Sequence, residues 1–299
     1  VAVWGDVIVA GAYWANVGAN PDQGAAYVFE RNIGGTNAWG QVRKLKASDG
    51  AGGDFLGRSV AVCGDVIVVG AYGDDISRGS AYVFERNMGG SNFWGEVKKL
   101  TASDGVAGDY FGYSVAAAGD VIVAGAYGDD NSQGSMYVFE RNIGGSNFWG
   151  QVRKLTAVDA AADDCFGYSV AAAGDVIVAG AYGDDTSRGS AYVYERNIGG
   201  SNFWGQVKKL TAADAAANDQ FGISVAAAGD VIAVGASGDD SNQGAAYVFE
   251  RNAGGTNAFG QVRKLTASDG VAGDKLGMSV AVAGDLVVAG ASGDDSNQG

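Results

Sequence analysis

The residues with the most chemistry in this sequence are its 28 aspartates, which lie in short loops between apolar segments. They occupy three repeated contexts: a Gly-Asp pair, a loop such as "YGDDNSQG", and a loop such as "TASDGVAGDYFG". Carboxylates grouped with Gly and Asn in loops are the ligands that Ca²⁺ prefers. Asp also stabilises tight turns by bonding its own backbone. The residues alone leave both interpretations open.

The calcium interpretation selects the paired aspartates of one loop and the two spaced aspartates of the other. The candidate ligands are Asp74, Asp75, Asp104, Asp109, Asp129, Asp130, Asp159, Asp164, Asp184, Asp185, Asp214, Asp219, Asp239 and Asp240. A net charge of −14 favours neutralisation by some cation. An EF-hand-like spacing from Asp129 to Glu140 fails at Gln133, which carries no carboxylate.

Several kinds of chemistry are excluded or disfavoured. The sequence has no histidine, so Ser-His-Asp and Cys-His catalytic groups and His-ligated zinc cannot form. Cys63 and Cys165 occupy different repeat positions and are expected to be free thiols. The acidic balance argues against a nucleic-acid partner, and no apolar run approaches the ~18 residues of a membrane span. We expect a protein that is not an enzyme and does not insert directly into a membrane.

A repeat of 55 residues positions the acidic loops. Its Gly-Asp pair begins at Gly5, Gly64, Gly119, Gly174, Gly229 and Gly284, with a first interval of 59. A complete copy contains four strand-like segments, such as "YSVAAA", "DVIVAGAY", "SAYVFER" and "FWGQVRKL". No segment has a 3.6-residue period, so no helix is predicted. The pattern predicts an all-β fold, a β-propeller of four-stranded antiparallel blades with repeats of 55 residues.

The fourth predicted strand carries two further repeated features. Paired cations such as Lys98–Lys99 predict protection of an exposed sheet edge, with a basic binding stripe as the alternative. A tryptophan recurs at Trp39, Trp94, Trp149 and Trp204. This spacing predicts packing between neighbouring blades.

The motif "FG" at Phe111–Gly112, followed by "GAY" at Gly125–Tyr127, resembles the FG-GAP repeat of integrin α-subunit propellers. The bare Gly-Asp turn, "YGDD" and "KLTASDG" resemble a bacterial or algal-type variant that lacks the D-x-D-x-D-G calcium loop. The resemblance implies a seven-bladed propeller in an extracellular or cell-surface protein, and no single activity.

The sequence itself departs from seven complete blades. It holds six copies of the first two strands and five of the last two. We therefore expect five and a half blades, part of a six- or seven-bladed ring. They should form one propeller domain over residues 1–299, incomplete at one or both ends.

Recognition is expected where the two acidic loops of a blade emerge together. The repeat is least regular between Tyr13 and Gln23, because the first copy of one loop is four residues longer than its counterparts. The candidate partner-binding residues are Tyr13, Trp14, Asn16, Asn20 and Asp22. Drift in a terminal repeat is the alternative explanation.

The sequence favours a non-enzymatic extracellular binding, adhesion or scaffold propeller that recognises a protein or glycan through its acidic loop face. One alternative is a structural repeat protein that assembles into a filament or coat through open blade edges. A second is a glycoside hydrolase that uses paired carboxylates. The repetition of those pairs in successive copies disfavours this alternative, because a catalytic pair is expected once.

Overall fold

The computed structural model describes residues 1–88, 90, 93–146, 148–201 and 203–294. Within them the chain forms five four-stranded sheets and one two-stranded sheet, each built from strands consecutive in sequence. Neighbouring strands pair in antiparallel fashion, as in the register from Val66↔Glu85 to Ala71↔Ser80. The predicted all-β propeller fold and its four-stranded antiparallel blades are confirmed.

The chain divides into two compact units. The first comprises Val1–Asp129 with Tyr137–Lys154, and the second comprises Asp130–Met136 with Leu155–Gly299. The first unit holds three four-stranded sheets, except for Ser135, Met136 and Leu155, which belong to the second unit. Their strands are β1 (Ala2–Trp4), β2 (Val7–Ala12), β3 (Ala25–Arg31), β4 (Trp39–Leu45), β5 (Val60–Cys63), β6 (Val66–Ala71), β7 (Ser80–Arg86), β8 (Trp94–Leu100), β9 (Ser114–Ala118), β10 (Val121–Ala126), β11 (Ser135–Arg141) and β12 (Trp149–Leu155).

The second unit holds two four-stranded sheets and the two-stranded sheet. Their strands are β13 (Ser169–Ala173), β14 (Val176–Ala181), β15 (Ser190–Arg196), β16 (Trp204–Leu210), β17 (Phe221–Ala228), β18 (Val231–Ala236), β19 (Ala245–Arg251), β20 (Phe259–Leu265), β21 (Leu276–Ala283) and β22 (Leu286–Ala291). No helix of the described residues is long and apolar enough to cross a membrane.

The second strand of a sheet supplies much of the core. Every residue of β6, β10 and β14 is buried, as expected for apolar segments without alternation. The glycine in these strands is required by a close approach between repeats. A Cβ on Gly70 would lie 1.9 Å from the carbonyl oxygen of Gly112, and one on Gly180 equally close to that of Gly222. The "GA" and "FG" motifs therefore recur together because their backbones touch.

The sequence predicted no helix, and the structure corrects this in the loops after the second strands. Four single turns lie there: α1 (Asp74–Ser77), α2 (Asp129–Ser132), α3 (Asp184–Ser187) and α4 (Asp239–Asn242). Their second to fourth residues are left-handed, with φ of 50° at Asp75, 59° at Ile76 and 61° at Ser77. A turn of four residues is too short to show helical periodicity.

Candidate functional site

Two loops of each regular repeat meet at one end of the sheet, which we call the loop end. One loop joins the second and third strands, and the other joins the fourth strand to the next sheet. In the first unit, backbone N–H groups of Tyr110 and Phe111 donate to the carbonyls of Ser77 and Arg78 at 3.0 Å each. Gly189 and Phe221 form the equivalent parallel bridge in the second unit. The expected meeting of the two acidic loops is therefore present within both units.

A lysine from the fourth strand lies between the aspartates of these loops, in an arrangement we call the lysine cluster. Lys99 Nζ is 2.7 Å from both Asp49 Oδ2 and Asp74 Oδ2. The Tyr82 hydroxyl donates to Asp49 Oδ1 at 2.7 Å, and the Ser80 hydroxyl donates to Asp74. One cation thus ties together two carboxylates from different loops.

The same cluster recurs three times with ion-pair distances of 2.6 or 2.7 Å. Its members are Lys154 with Asp104, Asp129 and Tyr137; Lys209 with Asp159, Asp184 and Tyr192; and Lys264 with Asp214, Asp239 and Tyr247. The last copy differs, since Ala245 stands where Ser80 and Ser190 supply hydroxyls. The second lysine of the cationic pair, which the sequence assigned to edge protection, therefore binds loop carboxylates in these four copies.

Burial and hydrogen bonding set the charges of the cluster. Burial disfavours the ammonium of Lys99, but hydrogen bonds to Asp49 and Asp74 outweigh it and raise the pKa of Lys99. Burial likewise opposes ionisation of Asp49, yet bonds from Lys99 and Tyr82 hold its pKa below the ordinary value. Burial raises the pKa of the Tyr82 phenol, which the negative Asp49 beside it raises further. The cluster is therefore a stable lysine–carboxylate arrangement at neutral pH.

The two aspartates of each "DD" pair have different roles. Asp74 is 7% exposed and belongs to the lysine cluster, as do the buried Asp129, Asp184 and Asp239. Asp75, Asp130, Asp185 and Asp240 are exposed and lie in the left-handed turns, which Asp tolerates better than most residues. The Asp75 carboxylate is also 2.7 Å from Arg78 Nη1.

The remaining predicted calcium ligands also fall into two groups, which differ in their hydrogen-bond partners. Asp104, Asp159 and Asp214 bind lysine and tyrosine in the clusters. Asp109, Asp164 and Asp219 are buried and accept a backbone N–H three residues earlier, at 2.6 or 2.7 Å. Burial raises the pKa of Asp109 and Asp164. These residues stabilise their own loop, as the turn interpretation expects.

The lysine clusters do not fit calcium as they stand. The ammonium group already lies at the point between two carboxylates where a cation would bind. Among the described residues, no group of three or more acidic, His or Cys side chains converges closely enough to hold a metal. Calcium binding stays a prediction.

Open clefts lie beside three of the clusters. One of about 450 Å³ is lined by Asp74, Asp75, Arg78, Lys99 and Ser103 among others. The second unit has clefts of about 250 Å³ beside Lys209 and about 510 Å³ beside Lys264. Each cleft presents carboxylate acceptors and a lysine from equivalent repeat positions. Such a lining suits hydroxyl, amide or charged groups better than apolar ones.

The first copy of the loop between second and third strands lacks this cluster. Counting back from Gly24 as from Gly79, Ala19 stands where Asp74 does. Within the described part of the chain Lys44 makes no ion pair and lies over the Tyr27 ring, 5.4 Å from its centroid. The predicted partner-binding loop is therefore built without a cation between carboxylates.

Polar side chains organise that first loop instead. Asn16 Oδ1 accepts the backbone N–H of Asp22 at 3.0 Å. Asn20 Nδ2 donates to Gln23 at 3.1 Å and to the Gly50 carbonyl at 3.2 Å. Asn16, Asn20 and Asp22 thus shape the loop, while Trp14 is 68% exposed beside the half-buried Tyr13.

Sequence reasoning missed an aromatic cluster at the loop end of the first unit, which we call the tyrosine patch. Its members are Tyr13, Phe55, Arg58, Tyr72, Tyr110, Tyr113 and Tyr127, all half-buried. Phe55 stacks on Tyr72 at 5.0 Å, and Tyr110 stacks on Tyr127 at 5.1 Å. Tyr113 meets the rings of Tyr72 and Tyr127 edge-on.

Arg58 joins the first loop to this patch. Its guanidinium lies 4.5 Å from the Tyr113 ring and 5.8 Å from the Tyr13 ring, and it donates to the Tyr113 hydroxyl at 2.8 Å. Burial raises the pKa of Tyr72, which the neighbouring Tyr113 raises further and Arg58 opposes. A comparison of repeat positions could have found the patch, because these positions are aromatic only in some copies.

The tryptophan prediction is confirmed in the first unit. Trp94 and Trp149 are nearly fully buried, and their indole N–H groups donate to Glu30 and Glu85 of the preceding sheet. Trp39, in the first sheet, is 39% exposed. The indole is therefore a contact between consecutive sheets.

Comparison with known proteins agrees with this geometry. A family model described as FG-GAP repeat matches residues 39–84, 94–139, 149–194, 204–249 and 259–299, well over half of the chain. Each matched segment starts at the fourth strand of one sheet and continues into the next. A search of curated protein sequences found no match.

Solved structures support the fold alone. The crystal structure of Chaetomium thermophilum Sqt1 matches with a TM-score of 0.52 at 16% identity. The alignment covers 91% of this chain and 66% of that one. At this identity the similarity concerns architecture only.

Proposed function

Because the chain belongs to the FG-GAP repeat family, we propose that it is a non-enzymatic binding or scaffold propeller of the extracellular space or cell surface. Its partner is a protein or glycan that docks on the loop end. The observation that carries this proposal is the recurrence of equivalent polar clefts beside Lys99 and Lys209. A third cleft, beside Lys264, shares with them only the lysine and the paired aspartates.

Repetition favours binding over catalysis. A reaction needs one arrangement matched to one transition state, whereas the clefts beside Lys99 and Lys209 repeat the same donors and acceptors. Several weak contacts made by one molecule raise the overall affinity without any new kind of contact. The proposed partner therefore presents several similar polar groups, as a polysaccharide or a repetitive protein does.

The test is an array of glycans and extracellular proteins probed with the whole chain and with a cleft variant. The variant carries Asp75→Asn, Arg78→Gln, Asp185→Asn and Arg188→Gln, all at exposed positions. Gln133 already occupies the place of Arg78 in another repeat, so the variant should fold. We expect binding to at least one class to weaken about ten-fold or more.

Three outcomes would overturn the proposal. One is the absence of any ligand in either class, and another is a bound ligand whose affinity the cleft variant leaves unchanged. The third is release of a chemically altered ligand, which would favour the hydrolase alternative. Sedimentation over a hundred-fold concentration range adds a separate check, because steady growth in size would favour assembly through blade edges.

A further inference from the structure

We infer that the tyrosine patch of the first unit, together with Trp14, binds a neutral sugar ring. This rests on the proposed recognition role of the loop end and names a ligand class and a place for it. The patch is distinct from the three clefts, because other residues line them.

The repeat itself shows that the fold does not need these aromatic rings. Three positions change along the chain. They read Phe55, Tyr110, Cys165, Gln220 and Lys275; Arg58, Tyr113, Tyr168, Ile223 and Met278; and Tyr13, Tyr72, Tyr127, Tyr182, Ser237 and Ser292. The last two copies keep the strand pairing and the loop bridges with aliphatic or polar residues, although their first strands, β17 and β21, begin three residues before the position of Ser114. Packing alone therefore does not explain the tyrosines of the earlier copies.

Backbone geometry leads to the same conclusion at the first of these positions. Phe55 and Tyr110 are left-handed, with φ of 57° and 58°. The later residues Cys165, Gln220 and Lys275 have φ of 58°, 59° and 59°. The conformation is constant while the side chain varies, so the backbone does not select an aromatic residue.

The chemistry of the patch matches a sugar ring. Aromatic rings offer large apolar contact surfaces with little loss of conformational freedom, and the tyrosine hydroxyls add hydrogen bonding. Tyr13 and Trp14 have ring centroids 4.6 Å apart, and Trp14 is 68% exposed. A sugar has apolar C–H faces for such rings and hydroxyls for the Arg58 guanidinium.

Other ligand classes fit less well. An apolar side chain would cover the guanidinium and hydroxyls without replacing their hydrogen bonds to water. A cationic side chain would be repelled by the Arg58 guanidinium beside Tyr13 and Tyr113. An anionic group would approach a chain of net charge −14 whose aspartates lie in the adjoining loops. A neutral, hydroxyl-rich ligand avoids all three penalties.

The experiment transfers residues between equivalent repeat positions. Tyr113→Ile and Tyr72→Ser give the patch the residues found at Ile223 and Ser237. The matched control is Met278→Ile, at the same repeat position in the last copy, where Ser237 and Ser292 stand at the positions of Tyr72 and Tyr127. Calorimetric titration uses neutral gluco-, manno- and galacto-oligosaccharides, with an oligouronate and an oligolysine peptide as charged probes.

We expect a neutral oligosaccharide to bind, with at least a ten-fold loss in the two patch variants and less than about two-fold loss in the control. Urea midpoints of all variants are compared to separate binding from folding. Binding of only a charged probe, equal losses in patch and control variants, or no neutral ligand would overturn the inference. If a partner is lost in the cleft variant but kept in the patch variants, this inference fails and the proposed function stands.

Discussion

Lys44 and Lys99 occupy the same place in β4 and β8, yet their surroundings differ. Lys99 lies between Asp49 and Asp74, whereas Lys44 meets only an aromatic ring among the described residues. The first sheet still has four paired strands. The comparison teaches that the aspartate–lysine arrangement strengthens a sheet whose strands can pair without it.

The largest expected effect on stability comes from replacing a lysine of a lysine cluster, and it is compared with replacing Lys44, which belongs to none. Lys154→Met leaves the 6% exposed Asp129 side chain without its cation. Because Lys154 is a quarter exposed, we expect a loss of about 2–3 kcal/mol in the free energy of unfolding, below the full figure for a buried pair. Lys44→Met should change it by about 0.5 kcal/mol or less. Urea unfolding measures both, and equal losses would remove the distinction.

Alkaline pH tests the same cluster without mutation. The folded pKa of Lys154 is raised above its unfolded value of about 10.4, so its contribution is complete below that pH and is lost as pH rises further. Burial also raises the pKa of Tyr137, so the folded state favours the neutral phenol and loses stability above pH ~10. The unfolding free energy should decline above pH ~10, less steeply in Lys154→Met. Identical slopes would contradict a role for Lys154.

A smaller effect on stability is expected at the repeat position that holds Ser190 in one copy and Ala245 in the last. Ser190→Ala removes a hydroxyl that donates to the buried Asp184, with an expected cost of about 1 kcal/mol. Ala245→Ser should return a donor to Asp239, whose pKa is raised by burial. It should stabilise the protein by about 0.5–1 kcal/mol and lower that pKa. Thermal melts and carboxyl titration by NMR check both, and destabilisation by Ala245→Ser would show that no room exists.

The smallest effect on stability is expected from breaking the exposed ion pair beside the cluster. Arg78→Gln removes the ion pair with Asp75. Because both side chains are about half exposed, the free energy of unfolding should fall by about 0.5 kcal/mol or less. High salt should abolish the difference between the two proteins. A loss as large as that of Lys154→Met would mean that exposed and buried pairs are equivalent here.

Calcium should have no effect on stability if lysine is the only cation of the cluster. Melting curves in millimolar calcium and in chelator are expected to coincide, because only a ligand that binds the folded state shifts the transition. A higher melting temperature in calcium would reveal a site outside these clusters. The same comparison with Lys154→Met is the more sensitive test, because Asp104 and Asp129 would then be free of the lysine and could bind a metal.

Most of the fold could be predicted because its causes are local and repeated. The "DVIVAGA" segments are apolar without alternation, and Gly-Asp links them to the preceding strand. The left-handed turn at Asp75 and Ile76 was missed, since a β-branched residue is strained there and no composition rule indicates it.

The site was only partly predictable. The sequence identified the aspartates and the meeting of their loops, but not that Lys99 lies between two of them. Asp49 is 50 residues from Lys99 along the sequence and belongs to the loop before β5, so only the folded arrangement of the loops and strands brings the two together. Tyr72 and Tyr113 were missed for a similar reason, because their contact joins two repeats.

The lysine clusters also bear on how the chain folds. Lys99 reaches back to Asp49 and Lys154 to Asp104, each over 50 residues, so the sequence separation of these contacts stays constant along the chain. Folding of such a chain can begin in any repeat and spread to its neighbour, as in a one-dimensional array. Adding or removing an internal repeat should then change stability by a fixed increment. On this expectation the repeat, rather than the whole chain, is the unit of cooperative folding.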